Sequence, residues 1–183
     1  MQLSRWPRSA SASTFVELSV AELVSKSTLV VAATPLESTS VWQDNDGRGR
    51  RIVTFTRVRV DRLIDGRAPA DVWIRTLGGE VGDIGQHVDG EAVLTIGKAG
   101  LLFLRNLSDG THAVVGMSQG HFPLQLAKGG GVAKLLPPAG MGRLIARADL
   151  LAAPNPPARL VLAGRTLDDA AKLIIAERRA HAP

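Results

Sequence analysis

Hydrophobic and polar residues alternate with a period of two along much of the chain, a pattern that predicts β-strands with one buried face. The clearest case is Ile52 to Val60, where the even positions are apolar or Thr and the odd positions include two arginines. Asp71 to Leu77 alternates in the same way. Two continuous apolar runs, Leu29 to Ala33 and Leu101 to Leu104, predict strands that are buried on both faces.

The segments between these strands predict turns and hairpins. Glycine recurs seven times from Gly78 to Gly100, which disfavours a helix and predicts tight turns around short extended pieces. His112 to Ser118 is predicted to pair with the Leu101 to Leu104 strand, with Phe122 to Leu126 extending that partner. The polar stretch Glu37 to Arg51 predicts a long loop or a hairpin end, and Leu63 to Gly66 predicts a turn.

Two helices are predicted near the ends of this β-rich region. Ser19 and Glu22 form the S-x-x-E pattern of a capping box, so a short helix is expected from Val20 to Ser25. Thr166 and Asp169 form a related cap before apolar residues at helical spacing, which predicts an amphipathic helix from about 167 to 180.

Composition fits a globular protein and removes several classes of function. The chain has 183 residues, of which 45% are hydrophobic and 21% charged. No run approaches the roughly 20 apolar residues that a membrane-spanning helix needs. The absence of cysteine excludes disulfide bonds, cysteine-ligated zinc and thiol catalysis. Because 22 Lys and Arg face 17 Asp and Glu with signs mixed along the chain, the surface is expected to be only mildly basic.

The order of elements predicts a mainly β fold with flanking helices. Hairpin-type connections between at least five strands favour a five-stranded antiparallel Greek-key barrel of the OB type over a doubly wound parallel sheet. We expect residues 18–126 to form this barrel and residues 127–183 to form a C-terminal extension whose terminal helix packs on it. Residues 1–17 are expected to be a disordered N-terminus or the remnant of a signal peptide.

The signal-peptide interpretation depends on the first residues. Arg5 and Arg8 precede a string of small residues in which Ala10 to Ala12 has the A-x-A form of a signal-peptidase site. The apolar segment of a signal peptide is missing. A secreted or periplasmic location is therefore a hypothesis, with a polar disordered N-terminus as its alternative.

Several segments, in their order, resemble known families. They are Leu29 to Ala33, Thr54 to Gly66, Asp71 to Leu77, Gly97 to Leu104 and Gly116 to Phe122. With the leading helix, they resemble uncharacterised exported bacterial proteins that carry a Gly-Gly turn, a buried Leu-Phe-Leu strand and a Gly-x-x-Gln-Gly-x-Phe segment. More distantly, they resemble the netrin-like OB domain of tissue inhibitors of metalloproteinases. The resemblance covers about residues 18–126 and implies an OB-type barrel and a protease-binding function.

The chain departs from those inhibitors at the residue that their mechanism needs. The inhibitors chelate the protease zinc through an N-terminal cysteine held by disulfides, and this chain has no cysteine. Cleavage after Ala12 would expose a free amine at Ser13, followed by Thr14, but this end has no disulfide to hold it, and ordering it on binding costs entropy. Zinc chelation by that route is not expected.

Catalytic patterns are sparse, so we expect no enzyme. The four histidines form no HExxH or H-x-x-x-H spacing. Asp83, His87 and Asp89 lie close together in a Gly-rich stretch and could bind a metal or act as acid and base, but solvated loop residues explain them as well. No cofactor and no metal site are predicted.

The favoured function is non-catalytic binding of another protein, with an extracellular protease as the specific partner to consider. The contact surface is expected in loops at one rim of the barrel, because loops on a rigid scaffold commonly carry function. The candidate contact residues are Ser13, Thr14, Trp42, Arg48, Glu80, His87, Gln119, His121 and Phe122.

The alternative function is binding of a polyanion, either nucleic acid or an anionic polysaccharide. Arg51, Phe55, Arg57 and Arg59 share one face of the clearest strand, which places cations beside an aromatic ring on which bases can stack. The same arginines are equally explained as cross-strand partners of Asp61, Asp71 or Glu80.

Overall fold

The computed structural model describes residues 15–44, 47, 49–126, 131–140, 144–145 and 156–180. Its helices are α1 (Val20–Lys26), α2 (Ala158–Leu162), α3 (Leu167–Ala180) and a 3-10 turn (Met117–Gly120). Its strands are β1 (Phe15–Val16), β2 (Leu29–Asp44), β3 (Arg50–Asp65), β4 (Asp71–Leu77), β5 (Gly79–Val81), β6 (Ile84–Gln86), β7 (Gly100–Asn106), β8 (His112–Val114), β9 (His121–Gln125), β10 (Lys134–Leu135) and β11 (Leu144–Ile145). The predicted mainly β fold with flanking helices is confirmed. Within the described ranges no helix has the length and apolar character that a membrane span requires.

Five strands pair into a closed ring. β2 pairs with β3, β3 with β4, β4 with β8, β8 with β7, and β7 again with β2. All of these pairings are antiparallel except the short parallel contact of β4 with β8, where Ile74 lies opposite His112. β9 and β10 continue the sheet outward from β7.

β8 and β9 share the same edge of β7. Val114 of β8 lies opposite Leu104, whereas His121 of β9 lies opposite Leu102. The 3-10 turn, Met117–Gly120, connects the two strands and directly precedes β9. The prediction that β7 has a hairpin partner extended by the segment beginning at Phe122 is therefore confirmed, with this turn as an interruption.

The strand boundaries decide between two alternatives and correct one prediction. Of the loop or hairpin end predicted for Glu37 to Arg51, the structure has the hairpin end, and Glu37 to Asp44 belongs to the 16-residue strand β2 with most of its side chains partly or fully exposed. Pro35 is tolerated because the sheet is irregular between it and Glu37, and its carbonyl accepts a hydrogen bond from the Gly97 amide at 2.8 Å. Similarly, β3 runs to Asp65, through most of the predicted turn.

Two apolar clusters cover the two faces of the central strand pair β2 and β7. The ring interior holds one cluster, to which all five ring strands contribute, including Leu29, Val31 and Leu104. The opposite face holds the other cluster, which includes Val30 and Phe103 and is covered by the three helices. Neighbouring residues of a strand point to opposite faces, and both faces of β2 and β7 are covered. Apolar residues at successive positions are therefore required in these two strands.

The helices are fixed by caps and ion pairs as well as by packing. Ser19 and Glu22 form the predicted capping box of α1. The α3 helix buries Ile174 against the second cluster. Near the end of α3, Arg178 pairs with Asp65 and donates a hydrogen bond to the Ser27 carbonyl at 2.8 Å, so this one side chain joins α3 to β3 and to the end of α1.

Gly120 can be replaced only with strain, although its backbone conformation is one that other residues adopt. A Cβ at this position would lie 2.4 Å from the Val115 carbonyl oxygen. We expect Gly120→Ala to lower the free energy of unfolding by about 2 kcal/mol, because the backbone must shift to relieve the overlap. Urea unfolding followed by circular dichroism measures the change.

Gly85→Ala is the matched control, since its Cβ would meet only the Glu80 side chain at an ordinary 3.6 Å. It should change the unfolding free energy by less than about 0.5 kcal/mol. Equal unfolding midpoints for the two variants would contradict the steric account of Gly120.

Candidate functional site

The 3-10 turn anchors the segment that precedes α1. The Gln119 side-chain oxygen accepts a hydrogen bond from the Leu18 amide at 2.9 Å, and its NH₂ group donates to the Val16 carbonyl at 3.0 Å. Gly116 has φ of +64°, and a Cβ there would meet Leu18 Cδ1 at 2.6 Å. The Gln119 side chain, predicted as a partner contact, is thus engaged inside the molecule and positions the chain at Val16 to Leu18.

A buried carboxylate holds the same segment from the other side. Glu17 is only 2% exposed and forms an ion pair with Arg159 of α2. Its second oxygen, Glu17 Oε2, is buried and has no hydrogen-bond partner within the described part of the chain. Removing the Arg159 charge would leave this carboxylate buried without its cation, so the pair holds the segment around Glu17 against α2.

The segments that carry the predicted contact residues Trp42 and His87 lie close together near the tip of the β2–β3 hairpin. The Gln86 side chain accepts a hydrogen bond from the Ile52 amide at 2.7 Å, which ties β6 to the hairpin. Trp42 is half-buried there, and the Arg50 guanidinium lies 5.3 Å from the centre of its ring. Such cation–π contacts hold an aromatic ring in a defined orientation.

The same loop region continues to the 3-10 turn. The Ser118 amide donates a hydrogen bond to the Gly90 carbonyl at 2.8 Å. Glu80 and His87 are exposed in this region, and His87 Nε2 lies 3.2 Å from Asp89 Oδ1. The structure therefore connects the hairpin tip, the Gly78 to Gly90 loop and the anchored N-terminal segment.

Some predicted contact residues require correction. Phe122 is fully buried and packs edge-on against Phe103, with 6.2 Å between ring centres, so its side chain offers no surface to a partner. The reason is its register on β9, which directs it to the apolar cluster beneath the helices. Ser13, Thr14 and Arg48 lie outside the residues that the structure describes.

His121 lies in the floor of a groove and is only 7% exposed. Its ring packs against Gly100, where a Cβ would come within 2.8 Å of the imidazole Nε2 atom. Burial lowers the pKa of His121 from 6.5 to about 4, because the charged imidazolium is poorly solvated there. The imidazole is therefore neutral near pH 7.

The groove, called the β9 groove below, has a volume of about 640 Å³ and was not predicted from sequence. Its lining is mainly apolar and consists of Val93, Thr95, Gly97, Lys98, Ala99, His121, Pro123, Leu124, Gln125, Leu126, Ala133, Leu136 and Ala139. Val93 and Leu126 are strongly exposed although neither belongs to a periodic pattern. Apolar residues beside Gly-rich loops were the only sequence signal for this groove, and without the register of β9 they could not be assigned to one surface.

The basic face proposed for polyanion binding is largely neutralised by internal ion pairs. Arg57 contacts Glu37 and Asp71, each at 2.6 Å, and these two hydrogen bonds raise its pKa above the usual value. Arg59 pairs with Asp61 at 2.8 Å. Arg57 is therefore a cross-strand partner, as the alternative interpretation had it, whereas Arg59 pairs with Asp61 within β3 itself.

The remaining members of that face are Arg51 and Phe55. Arg51 and Phe55 are half-buried, and Arg51 Nε is buried without a hydrogen-bond partner among the described residues. Trp73 lies beside Arg57 across the strand pair and is 40% exposed. An aromatic surface is thus present, but two of the three arginines of this face, Arg57 and Arg59, are already paired with carboxylates.

The groups that suggested catalysis do not converge. In the described ranges, no three His, Asp or Glu side chains are close enough together to hold a metal ion. Asp83, His87 and Asp89 are exposed on the loop around β6, outside both the groove at His121 and the ring interior.

Comparison with known proteins adds no assignment. No protein-family model matches the chain, and no curated protein sequence matches it significantly. The function must therefore be argued from the geometry.

The low pKa of His121 predicts acid sensitivity. Between about pH 4 and pH 6.5 the unfolded chain binds a proton at this residue and the folded chain does not, so the free energy of unfolding falls as the pH falls through this window. The full effect is about 3 kcal/mol and is complete below pH 4. Urea unfolding at pH 7 and pH 4 should show this loss in the original protein relative to His121→Gln.

His112→Gln is the control, since it replaces a histidine on the ring strand β8, outside the groove. It should retain the pH dependence of the original protein. Parallel stability curves for the original protein and His121→Gln would show that His121 is not the titrating group.

Gln119→Leu should loosen the segment at Val16 to Leu18, because both hydrogen bonds of the side chain are lost. We expect amide exchange of residues 15–18 to accelerate by about 10- to 100-fold, measured by hydrogen exchange with mass spectrometry. Gln125→Leu, an exposed glutamine on β9, should leave that exchange unchanged. Equal exchange in both variants would remove Gln119 as the anchor.

Proposed function

We propose that the chain is a non-enzymatic binding protein, an OB-like barrel that is exported and that binds another protein through the tip and open edge of its β2–β3 hairpin. Its strand order supports the barrel. In the order β7, β2, β3, β4, the fourth ring strand lies beside the first, which is the Greek-key arrangement. The pairing of β8 with both β4 and β7 closes the ring.

The open edge of β2 is the observation that carries the proposal. β7 pairs with β2 only over Leu29 to Ala33, whereas β3 pairs with it as far as Asp44. No strand among the described residues pairs with the other edge of Glu37 to Asp44. Such an edge presents main-chain donors and acceptors to which an extended segment of another protein can add as a further strand.

The side chains at the hairpin tip suit a protein interface. Trp42, oriented by Arg50, is an aromatic residue of the type that dominates binding energy in protein interfaces. Val41 beside it is exposed. The anchored loops of β5 and β6 contact the same hairpin and rigidify its base, which reduces the entropy lost on binding.

A protease outside the cytoplasm is the partner to test first. Strand addition at an open edge suits a partner that recognises extended main chain, and proteases bind their substrates as extended segments. Export is supported by the Ala10 to Ala12 pattern in the sequence. The chain lacks the cysteine by which the metalloproteinase inhibitors chelate zinc, so binding at the hairpin edge would have to act by occlusion.

Polyanion binding at the outer face of β3 and β4 is the second candidate. The exposed Trp73 and the half-buried Phe55 favour it, because bases and sugar rings stack on aromatic side chains. The ion pairs of Arg57 and Arg59 with carboxylates disfavour it, because a polyanion would have to displace Glu37, Asp71 and Asp61.

Two tryptophans separate these candidates. We expect Trp42→Ala to weaken binding of the partner protein by at least about 10-fold, because a central aromatic contact is lost, and Trp73→Ala to change it less than about 3-fold. The purified chain is used to capture proteins from the secreted and envelope fraction of its source cell at low and physiological salt. Captured proteins are identified by mass spectrometry, and affinities are measured by surface plasmon resonance.

The salt dependence provides the control. A protein interface at the hairpin should persist at physiological salt, whereas polyanion binding falls steeply as salt rises. Retention of polyanions alone, lost with salt and weakened by Trp73→Ala, would replace the proposal with the second candidate. If the captured protein is a protease, its activity on a peptide substrate should fall with the original chain and recover with Trp42→Ala.

A further inference from the structure

The β9 groove has the size and wall chemistry of a site for a small apolar ligand. Its volume of about 640 Å³ lies inside the roughly 300 to 1,000 Å³ typical of such sites. Leu124, Leu126 and Leu136 contribute to the walls, and Leu126 is 80% exposed. Apolar side chains that remain exposed around a concave surface gain free energy when an apolar ligand covers them.

The polar groups of the groove restrict what such a ligand can carry. Lys98 and His121 are the only ionisable side chains among its described lining residues, and no carboxylate is among them. His121 is 7% exposed and lines the groove. Because His121 lines the open groove, a ligand in the groove can reach its imidazole.

The protonation states of these groups favour an anion. With its low pKa, His121 is neutral near pH 7 and presents one N–H donor. Lys98 is exposed and carries a positive charge. An ammonium ligand would be repelled by Lys98, and a neutral alcohol would lack the ion pair, whereas a carboxylate can accept from both groups.

The wall that carries Lys98 is held in place before any ligand binds. The Gly97 amide donates to the Pro35 carbonyl at 2.8 Å, and the Lys98 amide donates to the Thr95 carbonyl at 3.0 Å. The Ala99 carbonyl accepts from the Leu124 amide at 2.8 Å, so this wall is bonded to the floor. Such preorganisation reduces the entropy lost on binding.

We propose that the β9 groove binds an aliphatic monocarboxylate, with its hydrocarbon chain along the leucine wall and its carboxylate held by Lys98 and the His121 imidazole. This site is separate from the hairpin edge. Ligand binding therefore does not depend on the proposed partner protein, and Trp42→Ala should leave it unchanged.

Isothermal titration of the purified full-length chain tests the ligand chemistry. The probes are decanoate and decylammonium below their micelle concentrations and decanol below its solubility limit. We expect decanoate to bind at least about 10-fold more tightly than decanol and decylammonium to bind most weakly, because a charge-assisted contact strengthens in a partly desolvated groove. Equal affinities for the three probes, or no binding of decanoate, would overturn the proposal.

Two exposed side chains of the lining, Leu126 and Lys98, can be replaced to test the site without disturbing the apolar core. Leu126→Asp should weaken decanoate binding at least about 10-fold, since it places a negative charge on the apolar wall, while Leu160→Asp on α2 should leave it unchanged. Lys98→Gln should remove the preference for decanoate over decanol. Lys134→Gln, an exposed lysine outside the lining, should preserve that preference.

A second arm separates a free carboxylate from one embedded in a membrane. Zwitterionic phospholipid vesicles containing decanoate are sedimented with the chain. Free decanoate binding that is sensitive to Leu126→Asp supports the proposal. Co-sedimentation with these vesicles without any binding of free decanoate would assign the groove to a membrane surface and overturn it.

Discussion

The need to cover both faces of one strand pair organises the rest of this molecule. β2 and β7 are apolar at successive positions from Leu29 to Ala33 and from Gly100 to Leu104, so neither face of the pair can be left in water. The curled sheet closes over one face, and the three helices cover the other. The ring and the helical layer are therefore two responses to the same sequence feature.

This arrangement also explains where functional surface remains. β2 and β3 extend past their neighbours, so the far end of the hairpin is freed from the core and keeps an open edge. β9 shares the edge of β7 with β8, which turns His121 toward a groove instead of the ring interior. The hairpin edge and the β9 groove therefore both lie at strand segments outside the part of the sheet that packs in the apolar core.

The sequence predicted the parts of the fold that depend on local pattern. The strand Asp71 to Leu77, the terminal helix and the Ser19 capping box follow from periodicity and cap chemistry within a few residues. For the polar half of β2 the sequence left a loop and a hairpin end open, because Ser and Thr on an exposed hairpin resemble a loop in composition. The β9 groove could not be predicted without the register of β9. Phe122 and His121 are neighbours in sequence, yet Phe122 lies in the core and His121 faces the groove.

The pairing of Leu29 with Leu104 has a consequence for how the chain folds as it is synthesised. The β2–β3–β4 meander is contiguous in sequence and can form as soon as it leaves the ribosome, but its apolar inner face has no cover until β7 emerges. Pairing β2 with β7 closes the long loop between Leu29 and Leu104, which is entropically unfavourable and slow. The nascent meander is thus the stage at which chaperone holding would matter most, since its exposed strand edges can pair with other chains before β7 arrives.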